Sequence, residues 1–362
     1  MNSRKRIIKL DGLRGLFSLM LLLFHYRQNM LPDIIYNNFL IRESYLFVDF
    51  FFVLSGYVIA LNYNKISTFQ NCMQYLKRRF FRLYPLLLFT TVVFFLYYLS
   101  GNIIANYMSS LFVVEDILVV DIRKKIQAFF DTILLTNSTP ILGSSMGMNE
   151  PSWSISTEFI AYTLFAFVVL FFNGIFRHIS MLIIILISSL YCYQHSHLFP
   201  FNGELGFLRG LVSFNLGYFV WYFSDKKISI PNFIEYFIPI ILCFLFYILH
   251  FNSLDYLISK SVLAIFSVPL FFSLVIYTLL YTNGVISKIM QSNIFQELGK
   301  ISYSLYLNHF LIVIVLPKLL FKVLNLPHSF IMQIIVFCIT LFVAIIYSQF
   351  TFKYIEVKFN KR

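Results

Sequence analysis

Of the 362 residues, 59% are hydrophobic, 20% aromatic and only 12% charged, against roughly 25% charged in soluble domains. With a mean hydropathy of +0.78, the chain carries more apolar surface than a soluble fold can hide, which excludes that class. The net charge of +12 does not mark a nucleic-acid binder, because the basic residues sit in short segments between apolar runs and read instead as topology charges.

A hydrocarbon core needs roughly 20 apolar residues per helix, and such runs predict about ten spans, near 10–29, 44–63, 80–99, 152–173, 178–194, 205–223, 233–250, 262–281, 302–322 and 330–352. They are far longer than the roughly ten-residue strands of an outer-membrane barrel, so helices must satisfy the backbone in lipid. The predicted fold is all-α, a polytopic transmembrane bundle forming one domain over 1–362. Met1 to Lys9 is basic, but no small-residue cleavage site follows, so the first helix is expected to be retained. With the N-terminus inside, basic residues concentrate in the segments on the cytoplasmic side of the membrane, which predicts both termini in the cytoplasm. Gly101 to Glu150, the longest break, is expected to be an extracytoplasmic loop holding an amphipathic or re-entrant helix. No appended soluble domain is expected after the last span. The four cysteines are scattered, and neither HExxH nor Cys/His ligand spacing occurs, so no metal is expected.

Ionisable residues inside spans are costly and mark function by default. On the first helix, Arg14 and His25 are eleven residues apart, close to three turns, or about 16 Å. Asp11 and Ser18 continue their stripe. Asp49 opens VDFFFVLSGYVIA; it either sits at the interface, paired with Arg42, or meets His25 and fixes its tautomer as the third member of a triad does. In KRRFFRLYP, Arg79 and Arg82 lie at i, i+3, either as topology charges or as a fork for phosphate oxygens. Ser154 and Glu158 are i, i+4 neighbours at the start of the fourth span, where the acid also complements a helix dipole. Ser302, Tyr306 and His309 form another stripe, a pocket wall or an inter-helix seam.

These segments resemble acyltransferase family 3, integral-membrane enzymes that move short acyl groups onto sugar hydroxyls of cell-surface polysaccharides. The matching stretches are LDGLRGLFSLMLLLFHY, VDFFFVLSGYVIAL, RRFFRLYP, WSISTEF and ISYSLYLNHF, in family order along almost the whole chain. The resemblance implies that His25 is the catalytic base, that Arg14 belongs to its motif, and that Arg79 and Arg82 bind the acyl-coenzyme A donor. Asp49 and Glu158 match recurring acidic positions. No counterpart of the SGNH hydrolase-like domain of fused family members is expected.

On this reading acetyl-coenzyme A binds through Arg14, Arg79 and Arg82, and its pantetheine arm follows the first-helix stripe to His25. Asp49 or Glu158 orients the imidazole, and Ser154, Tyr306 and His309 line the pocket. The acceptor is a polysaccharide or lipid-linked oligosaccharide, the partner phase is membrane lipid, and the location is the bacterial cytoplasmic membrane. A flippase for a lipid-linked sugar and a module that passes acyl groups to a separate transferase remain alternatives; the first is expected to show internal repeats, and no matching halves are apparent.

Overall fold

The computed structural model describes residues 7–26, 30–109, 121–139, 141, 147–196, 203–225, 228–251 and 260–360, and among these every regular element is helical. After α1 (Ile8–Phe24) come two single turns, α2 (Asp33–Tyr36) and α3 (Phe39–Arg42), then α4 (Phe47–Tyr63), the long α5 (Phe69–Ser109) and α6 (Ile122–Ile133). The second half holds α7 (Trp153–Phe171), α8 (Gly174–Gln194), α9 (Gly206–Phe223), α10 (Phe237–Phe251) and α11 (Lys260–Tyr281). It closes with α12 (Val285–Met290), α13 (Asn293–Lys318), α14 (Phe330–Thr351) and α15 (Val357–Asn360).

Among the described residues, eight helical stretches are long and apolar enough to cross a membrane, and the chain is an integral membrane protein. Of the predicted spans, α1 and α9 fall outside that set: α1 has only 17 residues, and α9 carries Arg209 and Asn215 among its apolar residues. Large apolar side chains such as Phe176, Ile183, Ile187 and Leu190 on α8, or Ile331 and Phe342 on α14, point outward, as lipid-facing residues must. The predicted third span, 80–99, lies inside a longer helix. Helix α5 runs for 41 residues, about 60 Å, because KRRFFRLYP holds no breaker before Pro85, and charges stay helical once they leave the hydrocarbon. Within the expected 101–150 loop, α6 carries basic residues on one side and buries Ala128, Asp131 and Thr132 on the other, while 110–120 lie outside the described residues, as do the basic ends 1–6 and 361–362.

Helix α13 packs chiefly against α1 and α14, and α4 against α9. Glycines make the second contact close: a methyl on Gly56 would strike the Phe214 carbonyl oxygen, and one on Gly217 the Val53 carbonyl oxygen. Backbone cannot move aside as a side chain can. Gly56→Ala is therefore expected to cost about 1–3 kcal/mol, read as a lower unfolding midpoint of purified protein in detergent. Gly101→Ala in α5, where nothing lies within 4 Å of the new methyl, should be neutral or stabilising by up to about 1 kcal/mol; equal losses at both positions would contradict the close-packing account.

Candidate active site

Two cavities enter the bundle from opposite ends of α1. The first, about 520 Å³, opens beside Ile7 and Leu10 and is lined by Asp11, Arg14, Arg79, Arg82, Ser154, Glu158, Lys300, Tyr303 and Glu356 among others. The second, about 510 Å³, holds His25 with Arg42, Glu43, Tyr45, Glu150, Trp153, Arg209 and His250. Val48 and Tyr306 line both, so the cavities meet at these two side chains.

Three arginines converge in the first cavity from two helices. On α1, Arg14 lies 3.4 Å from Asp11. On α5, the one-turn spacing of Arg79 and Arg82 sends both guanidinium groups to the same wall. Arg79 is only 4% exposed, and its guanidinium sits 4.7 Å from the Tyr63 ring and 5.9 Å from each of Tyr75 and Tyr162. Its Nε has no hydrogen-bond partner among the described residues. Opposite, Glu158 accepts from Ser55 Oγ at 2.5 Å and from the Tyr162 hydroxyl, while Glu356 accepts from Ser304 Oγ at 3.0 Å. The cavity thus gathers three guanidinium groups, with Glu158 and Glu356 each held by hydroxyl donors of their own.

At the waist, Tyr306 Oη and Ser154 Oγ are 2.8 Å apart, and both donate within reach of the Pro151 carbonyl. His25 closes α1 as its C-cap, with Nδ1 2.8 Å from the Leu21 carbonyl. His309, fully buried on α13, brings Nε2 to 3.1 Å from His25 Nδ1. Phe24 and Phe310 meet the His25 ring edge-on.

Three expectations need correcting. Asp49 does not meet His25: it is 1% exposed and held by Arg209, whose Nη2 lies 2.6 Å away, and by Ser213 Oγ at 2.8 Å. A buried arginine requires a buried acid, and Asp49 answers Arg209. Glu158 does not meet His25 either, since Ser55 and Tyr162 hold it in the other cavity. Nor does a polar groove run along α1, because Ser18 at its midpoint is sealed against α13, donating to the Arg14 carbonyl and lying 3.3 Å from the Ser302 carbonyl. The two cavities share Val48 and Tyr306 as lining residues instead.

Sequence reasoning missed Glu356, Glu43, His250 and Arg209 as lining residues. His250 Nδ1 lies 3.1 Å from Glu43 Oε1 across the second cavity. Arg209 left a signal: it was an unexplained charge inside a span. Glu356 belongs to a π-helical turn after α14, a feature common at functional sites and silent in the sequence. No group of His, Cys, Asp and Glu with metal-binding geometry occurs among the described residues.

This architecture is that of a membrane acyltransferase. Residues 7–349 match the family described as an acyltransferase domain, and the chain belongs to it; this is the acyltransferase family 3 that its motifs resemble. A protein of Rhizobium radiobacter named "Protein 2 in picA locus" is 30% identical over 174 residues, which span 45% of this chain and 82% of that protein. No solved structure matches.

The buried pair yields a stability test. Asp49→Ala strands the Arg209 charge and should cost about 3–5 kcal/mol, whereas Asp49→Leu combined with Arg209→Met should recover most of that loss. Unfolding midpoints in detergent measure both; a single variant as stable as the double would contradict the pairing.

Proposed function

We propose that this acyltransferase is an O-acyltransferase of the bacterial cytoplasmic membrane, moving an acetyl or other short acyl group from acyl-coenzyme A to a sugar hydroxyl of a cell-surface polysaccharide or its lipid-linked precursor. The observation that carries this reading is the meeting of two cavities at Tyr306, one rich in arginine and one holding His25. Phosphates of the donor bind Arg79, Arg82 and Arg14 from the cytoplasmic side, and the pantetheine arm threads past Ser154 and Tyr306. The acceptor enters the second cavity, where Trp153 and Tyr45 offer rings for a sugar face and Glu43, His250 and Arg42 offer polar partners.

In the chemical step His25 takes the proton of the acceptor hydroxyl as its oxygen attacks the thioester carbonyl. A carbon–oxygen bond forms, the carbon–sulfur bond breaks, and the proton returns from the imidazole to the departing thiolate. The Tyr306 hydroxyl stands at the junction, and to serve the developing oxyanion its one O–H turns away from the Pro151 carbonyl that accepts it in this structure. A thioester needs no metal to be activated.

Purified protein given labelled acetyl-coenzyme A and the polysaccharide should transfer label to it, and polysaccharide from cells lacking the gene should lose its O-acetyl NMR signal. Thioester cleavage without acceptor dependence would point to the acyl-passing alternative, and absence of cleavage to a transporter. His25→Ala should reduce transfer by roughly 10²–10⁴ with normal insertion; a well-expressed variant of normal rate would remove the base from the mechanism. Arg79→Lys with Arg82→Lys keeps the topology charge but loses the planar fork, so the apparent KM for acetyl-coenzyme A should rise about tenfold or more. An unchanged KM and maximal rate would leave both arginines as topology charges only.

A further inference from the structure

The second histidine of the waist has no role in the mechanism so far. His309 is fully buried on α13 and its imidazole meets that of His25, with centroids 5.0 Å apart and His309 Nε2 3.1 Å from His25 Nδ1. The carbonyl neighbours decide where the protons sit. A carbonyl can only accept, so His309 Nδ1, 3.1 Å from the Leu305 carbonyl, carries a proton, and a neutral His309 therefore has a bare lone pair on Nε2. His25 Nδ1, 2.8 Å from the Leu21 carbonyl, also carries a proton, which it shares between that oxygen and His309 Nε2. The remaining ring nitrogen, His25 Nε2, is unprotonated, and no hydrogen bond from a described residue occupies it.

We infer that His309 is the positioning residue for the base, holding His25 in the tautomer whose bare Nε2 is available to the acceptor hydroxyl. This rests on the reading of His25 as base and assigns to a neutral imidazole the part that a carboxylate plays in a triad. When His25 gains the hydroxyl proton at Nε2, its Nδ1–H becomes the donor of a charge-assisted hydrogen bond, and His309 Nε2 and the Leu21 carbonyl accept it. His309 itself neither gains nor loses a proton. It touches no reacting atom, so its removal should act on turnover rather than on donor binding.

The test compares His309→Leu, which removes the acceptor, with His309→Gln, whose side-chain oxygen reaches the place of Nε2. Release of coenzyme A thiol from acetyl-coenzyme A is followed in membranes of the cells that make the protein, with His25→Ala as reference. His309→Leu should lower kcat about ten- to hundredfold, leave the KM for acetyl-coenzyme A unchanged and melt like wild type, and His309→Gln should restore most of the rate. Wild-type turnover in His309→Leu, or equal loss in both variants, overturns the inference while a dead His25→Ala keeps the base. An active His25→Ala removes instead the reading on which the inference rests. A second measurement covers a variant that fails to fold: in wild-type protein labelled with 15N-histidine, the signals missing from His25→Ala should show a protonated Nδ1 and an unprotonated Nε2, and the opposite tautomer overturns the assignment.

Discussion

The site depends on how closely α1 and α13 approach. Gly15 faces Gly299, and a methyl on Gly15 would come within 2.7 Å of the Gly299 nitrogen. Three residues on, Ser18 meets Ser302; ten residues on, His25 meets His309. All three pairs share one offset of 284, so the helices run parallel and in register over about 15 Å. Small residues at the crossing let the backbones touch, the usual device where lipid offers helices no hydrophobic drive to associate. That contact seals the middle of α1 and thereby leaves Arg14 facing one cavity and His25 the other.

The second seam, between α4 and α9, frames the same waist from the other side. Gly56 and Gly217 bring these helices together, and Asp49 with Arg209 and Ser213 satisfies the charges that close packing would otherwise strand. Arg209 also lines the second cavity and stacks near Trp153 and Tyr45, at 5.9 and 5.8 Å. One buried pair thus fixes a helix crossing and holds part of the acceptor-side wall. On the proposed mechanism an acyl group passes between cavities at Tyr306 while the arginine wall and the histidines stay on their own sides, so that transfer needs no continuous polar channel.

The helical class and most span positions were legible because apolar length is read directly from sequence. So was the family, through motifs spread along the whole chain. The arginine cavity was half legible: an i, i+3 pair on a helix must share a face, but nothing in the chain announces that Glu356, nearly three hundred residues later, stands across from it. Periodicity on one helix failed where the neighbouring helix decided the outcome. The α1 stripe of Asp11, Arg14, Ser18 and His25 is real as a stripe, yet α13 covers its centre. Asp49 was assigned to the wrong partner for the same reason, because it was weighed against His25 and Arg42 while Arg209, the charge that most needed it, lay 160 residues away.

Why a histidine should face His25, rather than the carboxylate that triads use, follows from the solvent. A buried carboxylate is expensive in lipid unless a cation pairs with it, and beside an imidazole the nearest available cation is the imidazole itself. Such a pair would favour the protonated ring in the resting protein, and a base already protonated cannot take the acceptor's proton. A neutral imidazole orients its partner through one hydrogen bond without stabilising a standing charge. On the proposed mechanism the cation forms only while the hydroxyl attacks, where its attraction to the developing oxyanion lowers the barrier instead of the ground state. Asp49 and Glu158, the acids that the sequence offered for this part, are each held by partners of their own.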